Sequence, residues 1–505
     1  MATAVIIVLV TAVAALLAKW ALWYRRHRAL EQAIPGPPSL PVLGNALDFL
    51  GLANEDRLKF ILGQGDRKMR RLTLLTTVVV MVNNAEDIEH VLRRKDLADK
   101  SRFFYASLHM VAKNGLIQLS GPLWREHRKA LQPAFSLSIL EHFVDYFAEE
   151  AEGFVRRVKP WCADDNLLDN LRRVTCGAFM KTTLSEKVGA DFEEEILDLI
   201  RFLELFLKCS TERFFNPLLW SDWVFGLTAR GRLIKKTRAK IDHHARVVLD
   251  KRREELRQRG ELRGDFTKDF VKRPTTLVDT LLLAPGYRMP DEDVLDEFKT
   301  FFAAGVDTTA ATIIWLLKAL SLHPDIQDKV YAEIQTVFQG SDRRVTPSDL
   351  NRLEYTERFI KETLRLFPTV PFLTRQVHEE TEFLGHTLPA DSAVAINILG
   401  AHRDAAHWPD PLKFDPDRFL PENSEGRHPC AYMPFSTGYR NCIGGKYALM
   451  NMTTFLATTL RHYRVDPVAD GYMHLVDIPL CFDIALRAAG GMTVNFTPRR
   501  AAEGA

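Results

Sequence analysis

The chain has 505 residues, longer than one hydrophobic core usually serves, so length alone argues for two or three domains. Its composition is ordinary for a globular protein: 46% hydrophobic, 26% charged, formal net charge +2. That balance gives no support to a nucleic-acid partner, which would show as a strongly basic domain, and no repeat or low-complexity tract is visible.

Cysteines stand at 162, 176, 209, 430, 442 and 481, in neither paired nor metal-knuckle spacing. A chain this long can bury a core without staples, so reduced thiols in a reducing compartment are expected.

Residues 2–18, "ATAVIIVLVTAVAALLA", carry no charge, and the apolar run continues past Lys19 through Trp20, Leu22, Trp23 and Tyr24. As a helix of ~22 residues it would reach roughly 33 Å, enough to cross a bilayer. Lys19 can snorkel, and the aromatic residues suit the interface. A cleaved signal peptide is the alternative, but there is no basic leader and the stretch is too long for one. The expectation is a retained signal-anchor over residues 1–24. Arg25, Arg26 and Arg28 follow it, and the positive-inside rule places the remainder in the cytosol. On that side the acceptor triplets at Asn451 and Asn495 would stay unglycosylated. The prolines of "IPGPPSLPVLGN" forbid helix, so residues 25–45 read as a basic, stiff connector and 46–505 as the body.

Within the body, β-branched "LTLLTTVVVMV" at 72–82 predicts a strand before helical "AEDIEHVLRR". Long helices are expected at about 124–158, 190–212 and 232–260. Between the last two, aromatic "FFNPLLWSDWVFGL" at 214–227 is either a buried segment, a loop dipping into a bilayer or the roof of an apolar pocket. Residues 260–275 read as a charged loop. Pro290-Asp291 opens the longest helix of the body, to Leu322, and another spans about Asp349 to Phe367. Beyond Gly400 the chain is turn-rich as far as Cys442, then helical, and 464–498 looks like short strands. The fold class expected is mainly α with small β-sheets.

Asp307 is the only ionisable residue between Lys299 and Lys318, in "FFAAGVDTTAATIIWLL". An acid there is costly unless paired or hydrated. Gly305 would leave room for a small ligand, and a threonine can bond back one turn and bend the helix. Asp307 with Thr308 forms a short proton relay, or else a packing glycine lies beside a satisfied aspartate. Glu362 and Arg365 in "KETLRLFP" share a helix face, as ordinary surface ion pairs do. Trp124 and Arg128 in "GPLWREHRKALQPAF" lie one turn apart. A ring N–H and a guanidinium suit a carboxylate or phosphate, although an amphipathic helix explains them equally simply.

Cys442 in "PFSTGYRNCIGG" can be a structural thiol, half a disulfide, a nucleophile or a metal ligand. A helix begins just after it, and that terminus and Arg440 both favour thiolate. Nucleophilic catalysis would need a histidine partner, and zinc would need more ligands nearby. A lone thiolate in a backbone nest fits best as the one protein ligand to a metal whose other positions are filled, as in haem.

"PFSTGYRNCIG" resembles the haem-binding loop of the cytochrome P-450 superfamily, with Phe435, Gly438, Arg440, Cys442 and Gly444 matching. "AGVDTT" at 304–309 resembles its oxygen-activation motif, and Glu362 with Arg365 its Glu-x-x-Arg pair, completed by Arg418 of "FDPDRF". Trp124, Arg128, Arg375 and Arg440 resemble its propionate-binding set. The anchor and proline hinge are similar to those of microsomal members, and the C-terminal stretch looks closest to the animal family-4 clan. Many of those members carry a haem-linking glutamate where this chain has Ala304, which excludes a covalent ester from that position.

The resemblance implies a monooxygenase with haem b held by Cys442, and with Asp307 and Thr308 handling protons. It implies a lipophilic substrate, such as a fatty acid, terpenoid, hormone-like lipid or xenobiotic. Location at the endoplasmic reticulum membrane with a cytosolic body follows from it too. The chain has no dinucleotide fingerprint or P-loop, so electrons would come from a separate NADPH-cytochrome reductase, with cytochrome b5 as an optional second donor. Two alternatives remain: a non-redox haem isomerase or dehydratase of the same fold, and a haem protein that only binds a hydrophobic ligand.

Overall fold

A helix that is apolar on nearly every side has to be buried, and helix Asp291–Leu322 is. A computed structural model of the chain describes residues 2–49, 51–63, 69–158, 167–184, 193–259, 276–283 and 289–499. In it this helix starts with Asp291, Glu292 and Asp293 at its positive end and stops at His323, as expected. Its buried charges are paired: Glu297 with His127 Nδ1 at 2.7 Å, Lys299 with Asp242 at 2.7 Å, Asp307 with Arg172 and Arg487, and Lys318 with Asp470.

Against it pack helices Leu167–Leu184, Glu354–Leu366 and Gly445–His462, helix Leu137–Arg157 lies on the first and last of these, and Trp315 stacks on Phe367 with ring centroids 4.0 Å apart. The largest hydrophobic cluster reaches from Phe49 to Phe496, so the several cores that length suggested are not separated along the chain.

The expected strand at 72–82 is two strands. Met69–Leu74 and Thr77–Val82 pair antiparallel, turning at Leu75 with φ +55°. No glycine or proline marks that turn, so the run read as continuous. Strand Ala393–Asn397 joins parallel to Thr77–Val82 and Phe372–Gln376 closes the sheet antiparallel, bringing Arg375 inward. The helix expected over 124–158 is likewise divided, into Gly121–Leu131 and Leu137–Arg157, because Pro133 has no N–H to continue it. Helices Glu193–Phe215 and Ala229–Gln258 lie close to their expected places. Pro324, just beyond the end of the long helix, is the first residue of helix Pro324–Phe338, where its missing N–H costs nothing.

The N-terminal helix runs from Ala2 to Gln32 and carries the arginines that were expected to begin the connector, so extended chain starts later than residue 25. Within Val5–Gln32 the most apolar 18 residues have mean hydropathy 2.5, which qualifies this part of the helix as a candidate membrane crossing. In the aromatic segment Phe215 and Phe225 are buried, while Leu218 and Trp223 are each 75% exposed, so it is part core and part surface. The side chain of Asn451 is buried, which closes that acceptor triplet to a glycan. The 260–275 loop and Cys162 lie outside the described residues.

Glu362 and Arg365 are not a surface pair. Both side chains are fully buried, bonded twice at 2.7 and 2.8 Å, and Arg418 Nε approaches Glu362 at 3.6 Å. Arg365 also donates to the carbonyls of His402, Pro411 and Lys413, and Arg418 to those of Pro409 and Asp410. His402 passes the constraint on. Its Nδ1–H donates to Arg365 O at 3.2 Å, leaving Nε2 to accept from Met433 N–H at 2.8 Å, just ahead of the cysteine loop. Burial pushes His402 down to about 3, so it stays neutral in the fold.

The unfolded chain protonates this residue near pH 6.5, before the folded one does, so its contribution is intact above that pH and is lost as pH falls toward 3. One proton gives a slope of at most about 1.4 kcal/mol per pH unit in that window. His402→Gln can still accept from Met433 but cannot titrate. It is expected to lower the urea midpoint at pH 7 and to flatten the midpoint's fall between pH 6 and 4, followed by circular dichroism.

Candidate active site

The loop before helix Gly445–His462 is shaped by its backbone. Gly438 sits at φ +74°, which favours glycine, and Cys442 N–H donates to Phe435 O at 2.9 Å, curling the chain around the sulfur. A Cβ on Gly445 would come within 3.2 Å of the Phe435 ring, so this glycine lets the ring lie on the helix start. Gly444 differs: its φ is −91°, and a Cβ there would meet only Phe135, at 3.9 Å. Neither backbone nor neighbours demand glycine at 444, and the room it leaves opens into a cavity.

That cavity, about 430 Å³, has Cys442, Ile443 and Gly444 on one side and Ala303, Ala304, Gly305 and Thr308 on the other. Gly305 keeps it wide, since the nearest foreign atom to a Cβ there is on Phe179, at 3.9 Å. Among the described cysteines only Cys442 is exposed, and it is exposed to this cavity. Burial raises the pKa of its thiol. The Gly444 N–H and the charges of Arg128 and Lys100 oppose that rise, where Arg440 had been expected to do so.

One end of the cavity is cationic. Arg440 lies 4.3 Å over the Trp124 ring and donates to Leu119 O at 2.7 Å, and its Nη1 is buried with no hydrogen-bond partner. Arg375 is buried with only a long bond to Thr374 O at 3.3 Å; it stands behind the cavity wall, close enough to depress its neighbours. Burial and Arg375 bring Arg440 down to about 10, and burial with both arginines pushes Lys100 well below its ordinary value. Arg128 donates to Asn441 O and Oδ1, both at 2.9 Å, and so also braces the cysteine loop. No described carboxylate pairs with Lys100, Arg375 or Arg440. Such a cluster is eased by Lys100 giving up its proton or by an anionic guest that takes up the free donors.

Lys100 escaped the sequence reading. Its Nζ donates to Tyr105 OH at 3.0 Å from a loop with no periodicity, and only the missing counter-charge betrays it.

The acid and alcohol of the long helix are both in place, but apart. Thr308 Oγ1 donates to Ala304 O at 2.5 Å, the back-bond expected of it. The Asp307 carboxylate binds Arg487 at 2.6 and 2.7 Å and Arg172 at 3.0 and 3.2 Å, and no bond joins it to Thr308. The partners that an acid in an apolar helix demands thus come from helix Leu167–Leu184 and strand Ala485–Ala488.

Haem would bring a flat macrocycle, two carboxylates for the cations and an iron whose charge favours loss of the thiol proton when the sulfur binds. Fold and site together define a haem-thiolate protein. Comparison with known proteins agrees: the family profile for Cytochrome P450 matches residues 34–490. The chain is 35% identical to Cytochrome P450 4c21 of Blattella germanica over 88% of its own length and 90% of that protein's. It is 32% identical to human Cytochrome P450 4V2, over 97% and 94%. Among solved structures, the cytochrome P450DA heme domain superposes with TM-score 0.77 at 21% identity, covering 93% of this chain and 98% of that one. Retinoic acid-bound cyanobacterial CYP120A1 gives 0.76 at 20%, covering 92% and 99%; both speak for the fold. The chain belongs to the cytochrome P450 family and is a haem-thiolate monooxygenase of that family.

Lys100→Met, with Tyr105 retained, is expected to keep a folded holoprotein that surrenders haem to apomyoglobin about tenfold faster or more, as for loss of one hydrogen bond to a charged group, about 1.5–3 kcal/mol. Transfer at the wild-type rate would remove Lys100 from the site.

Proposed function

We propose that this monooxygenase hydroxylates a lipophilic substrate of the fatty-acid, terpenoid, hormone-like lipid or xenobiotic class at the endoplasmic reticulum membrane. In this proposal its body is cytosolic and its electrons come from a separate NADPH-dependent reductase, with cytochrome b5 as an optional second donor. The observation that carries the substrate class is the cavity lining: apart from the cationic end it is largely hydrocarbon, with Phe206 and Phe214 from helix Glu193–Phe215 and Phe104, Phe372 and Phe482 from three other elements. Those rings exclude water and offer few directional contacts, which suits an apolar chain or ring system.

Bound haem supplies the oxygen-activating redox chemistry. The chain's own part is positioning and proton handling. Cys442 is the proposed iron ligand, in a loop braced by Phe435, Gly438 and Arg128. Arg128, Arg375, Arg440 and Lys100 are proposed to neutralise the carboxylates, with Trp124 as the surface on which Arg440 rests. Thr308 already gives its own proton to Ala304 O, so its oxygen can accept a bond from the cavity and hold a proton donor at Oγ1. Asp307, engaged by two arginines, would enter a relay only after loosening at least one of them. For the reductase, Arg125, Lys129 and Lys446 are exposed on the elements carrying Arg128 and the cysteine loop, a basic face suited to an acidic flavoprotein.

Two substitutions test this. Cys442→Ser should abolish the red-shifted carbon-monoxide band of thiolate haem; an intact band would refute the ligand. In reconstitution with reductase and NADPH, Thr308→Ala should keep that band while product formed per NADPH drops by ~10-fold or more, as expected for loss of a proton-handling group. Failure of fatty acids, terpenoids and steroids alike to shift the haem spin state would refute the substrate class.

A further inference from the structure

The base of the N-terminal helix holds charged groups that the haem site does not use. Helix Ala2–Gln32 outlasts its apolar run and delivers Glu31 into the body, where it is 2% exposed. Its carboxylate accepts from Arg28 Nη1 at 2.7 and 2.8 Å, Ser39 Oγ at 2.7 Å and Thr73 Oγ1 at 2.7 Å, and it pairs with Arg71. Buried Arg71 also donates to the carbonyls of Ile34 at 3.2 Å and Pro37 at 2.8 Å. One guanidinium on strand Met69–Leu74 therefore grips both the helix end and the proline-rich connector.

The connector is pressed onto that strand. A Cβ on Gly36 would lie 2.6 Å from Arg71 O, and one on Gly44, at φ +61°, would lie 2.3 Å from Thr73 O. A swivelling tether would leave Glu31 in water, whereas burying a carboxylate is tolerable only where its lone pairs are met, as here.

The same region carries apolar surface. Val42 N–H donates to Tyr24 OH at 2.8 Å, which fixes the connector beside the point where the apolar span gives way to charge. Leu40, Val42 and Leu43 are exposed there, as is Leu75, whose N–H donates to Leu43 O at 3.2 Å. Apolar side chains continuous with the polar end of a membrane span match the interfacial layer of a bilayer.

We infer that Glu31 and Arg71 lock the anchor helix and the catalytic body into one unit, holding Leu40, Val42, Leu43 and Leu75 against the bilayer as a second lipid contact. The inference rests on the N-terminal helix being a membrane anchor. The test uses full-length holoprotein in phosphatidylcholine–phosphatidylserine nanodiscs, with haem tilt read by polarised absorption and amide exchange read over residues 25–45. Wild type should show one narrow tilt and slow exchange. Glu31→Gln should retain the carbon-monoxide band, exchange about tenfold faster there and broaden the tilt. The Val42→Asp, Leu43→Asp pair should keep slow exchange yet shift the tilt.

Wild-type exchange and tilt in Glu31→Gln would overturn the lock, and an unshifted tilt in the aspartate pair would overturn the lipid contact. Should Glu31→Gln yield no haem band, Ser39→Ala with Thr73→Ala carries the same expectation, with exchange about threefold faster. A wild-type chain that fails to enter the discs would refute the anchor itself, an outcome distinct from either of the others.

Discussion

Much of the cysteine side of the molecule depends on how one arginine is satisfied. Arg365 is fully buried, and its donors are met by Glu362 and by three carbonyls of the segment between His402 and Lys413. That segment has almost no secondary structure of its own, so its shape is dictated from outside by where a guanidinium places its hydrogens. The constraint then passes through the neutral imidazole of His402 to Met433, and from there to the loop presenting Cys442. A rigid ion pair thus does for an irregular chain what a ladder of backbone bonds does for a sheet. Its value lies in geometry, because a buried pair gains little net stability over apolar packing.

The second organising fact is electrostatic imbalance. Lys100, Arg375 and Arg440 converge without an answering carboxylate, and the neighbouring sulfur resists ionisation because its surroundings are buried. The two problems share one solution, a guest bringing two carboxylates and a metal. Loading it would supply the missing acceptors and favour the thiolate, so cofactor affinity and fold stability are coupled here.

The local signals were strong where one residue type has one physical use. A glycine cluster around a single cysteine and an acid in an apolar helix each marked residues that the structure places at one cavity, and a proline-rich stretch marked the end of the long N-terminal helix. What could not be read was whatever depends on a partner distant in sequence. Arg172 and Arg487 flank Asp307 from elements well over a hundred residues away on either side. Lys100 sits in a loop whose pattern says nothing, and His402 looked like one more residue in a turn-rich stretch. The Glu362–Arg365 spacing was visible but ambiguous, since burial separates a structural hub from a surface pair. Leu75 misled because it takes a left-handed turn that its β-branched neighbours argue against.

Asp307 shows why such distant partners matter to chemistry as well as to folding. The burial that makes the site dry would make an unpaired carboxylate intolerable, so the helix can carry an acid beside Thr308 only by giving it cations. Those same cations hold it in place and away from the threonine. The bond to Arg172 leads to Glu204 on helix Glu193–Phe215. Arg487 stands beside Asp483, which accepts from Thr211 on that helix as well. Helix Glu193–Phe215 also supplies Phe206, Leu207 and Phe214 to the cavity wall. One helix thus carries rings of the cavity wall and also partners of the two arginines that clamp the acid.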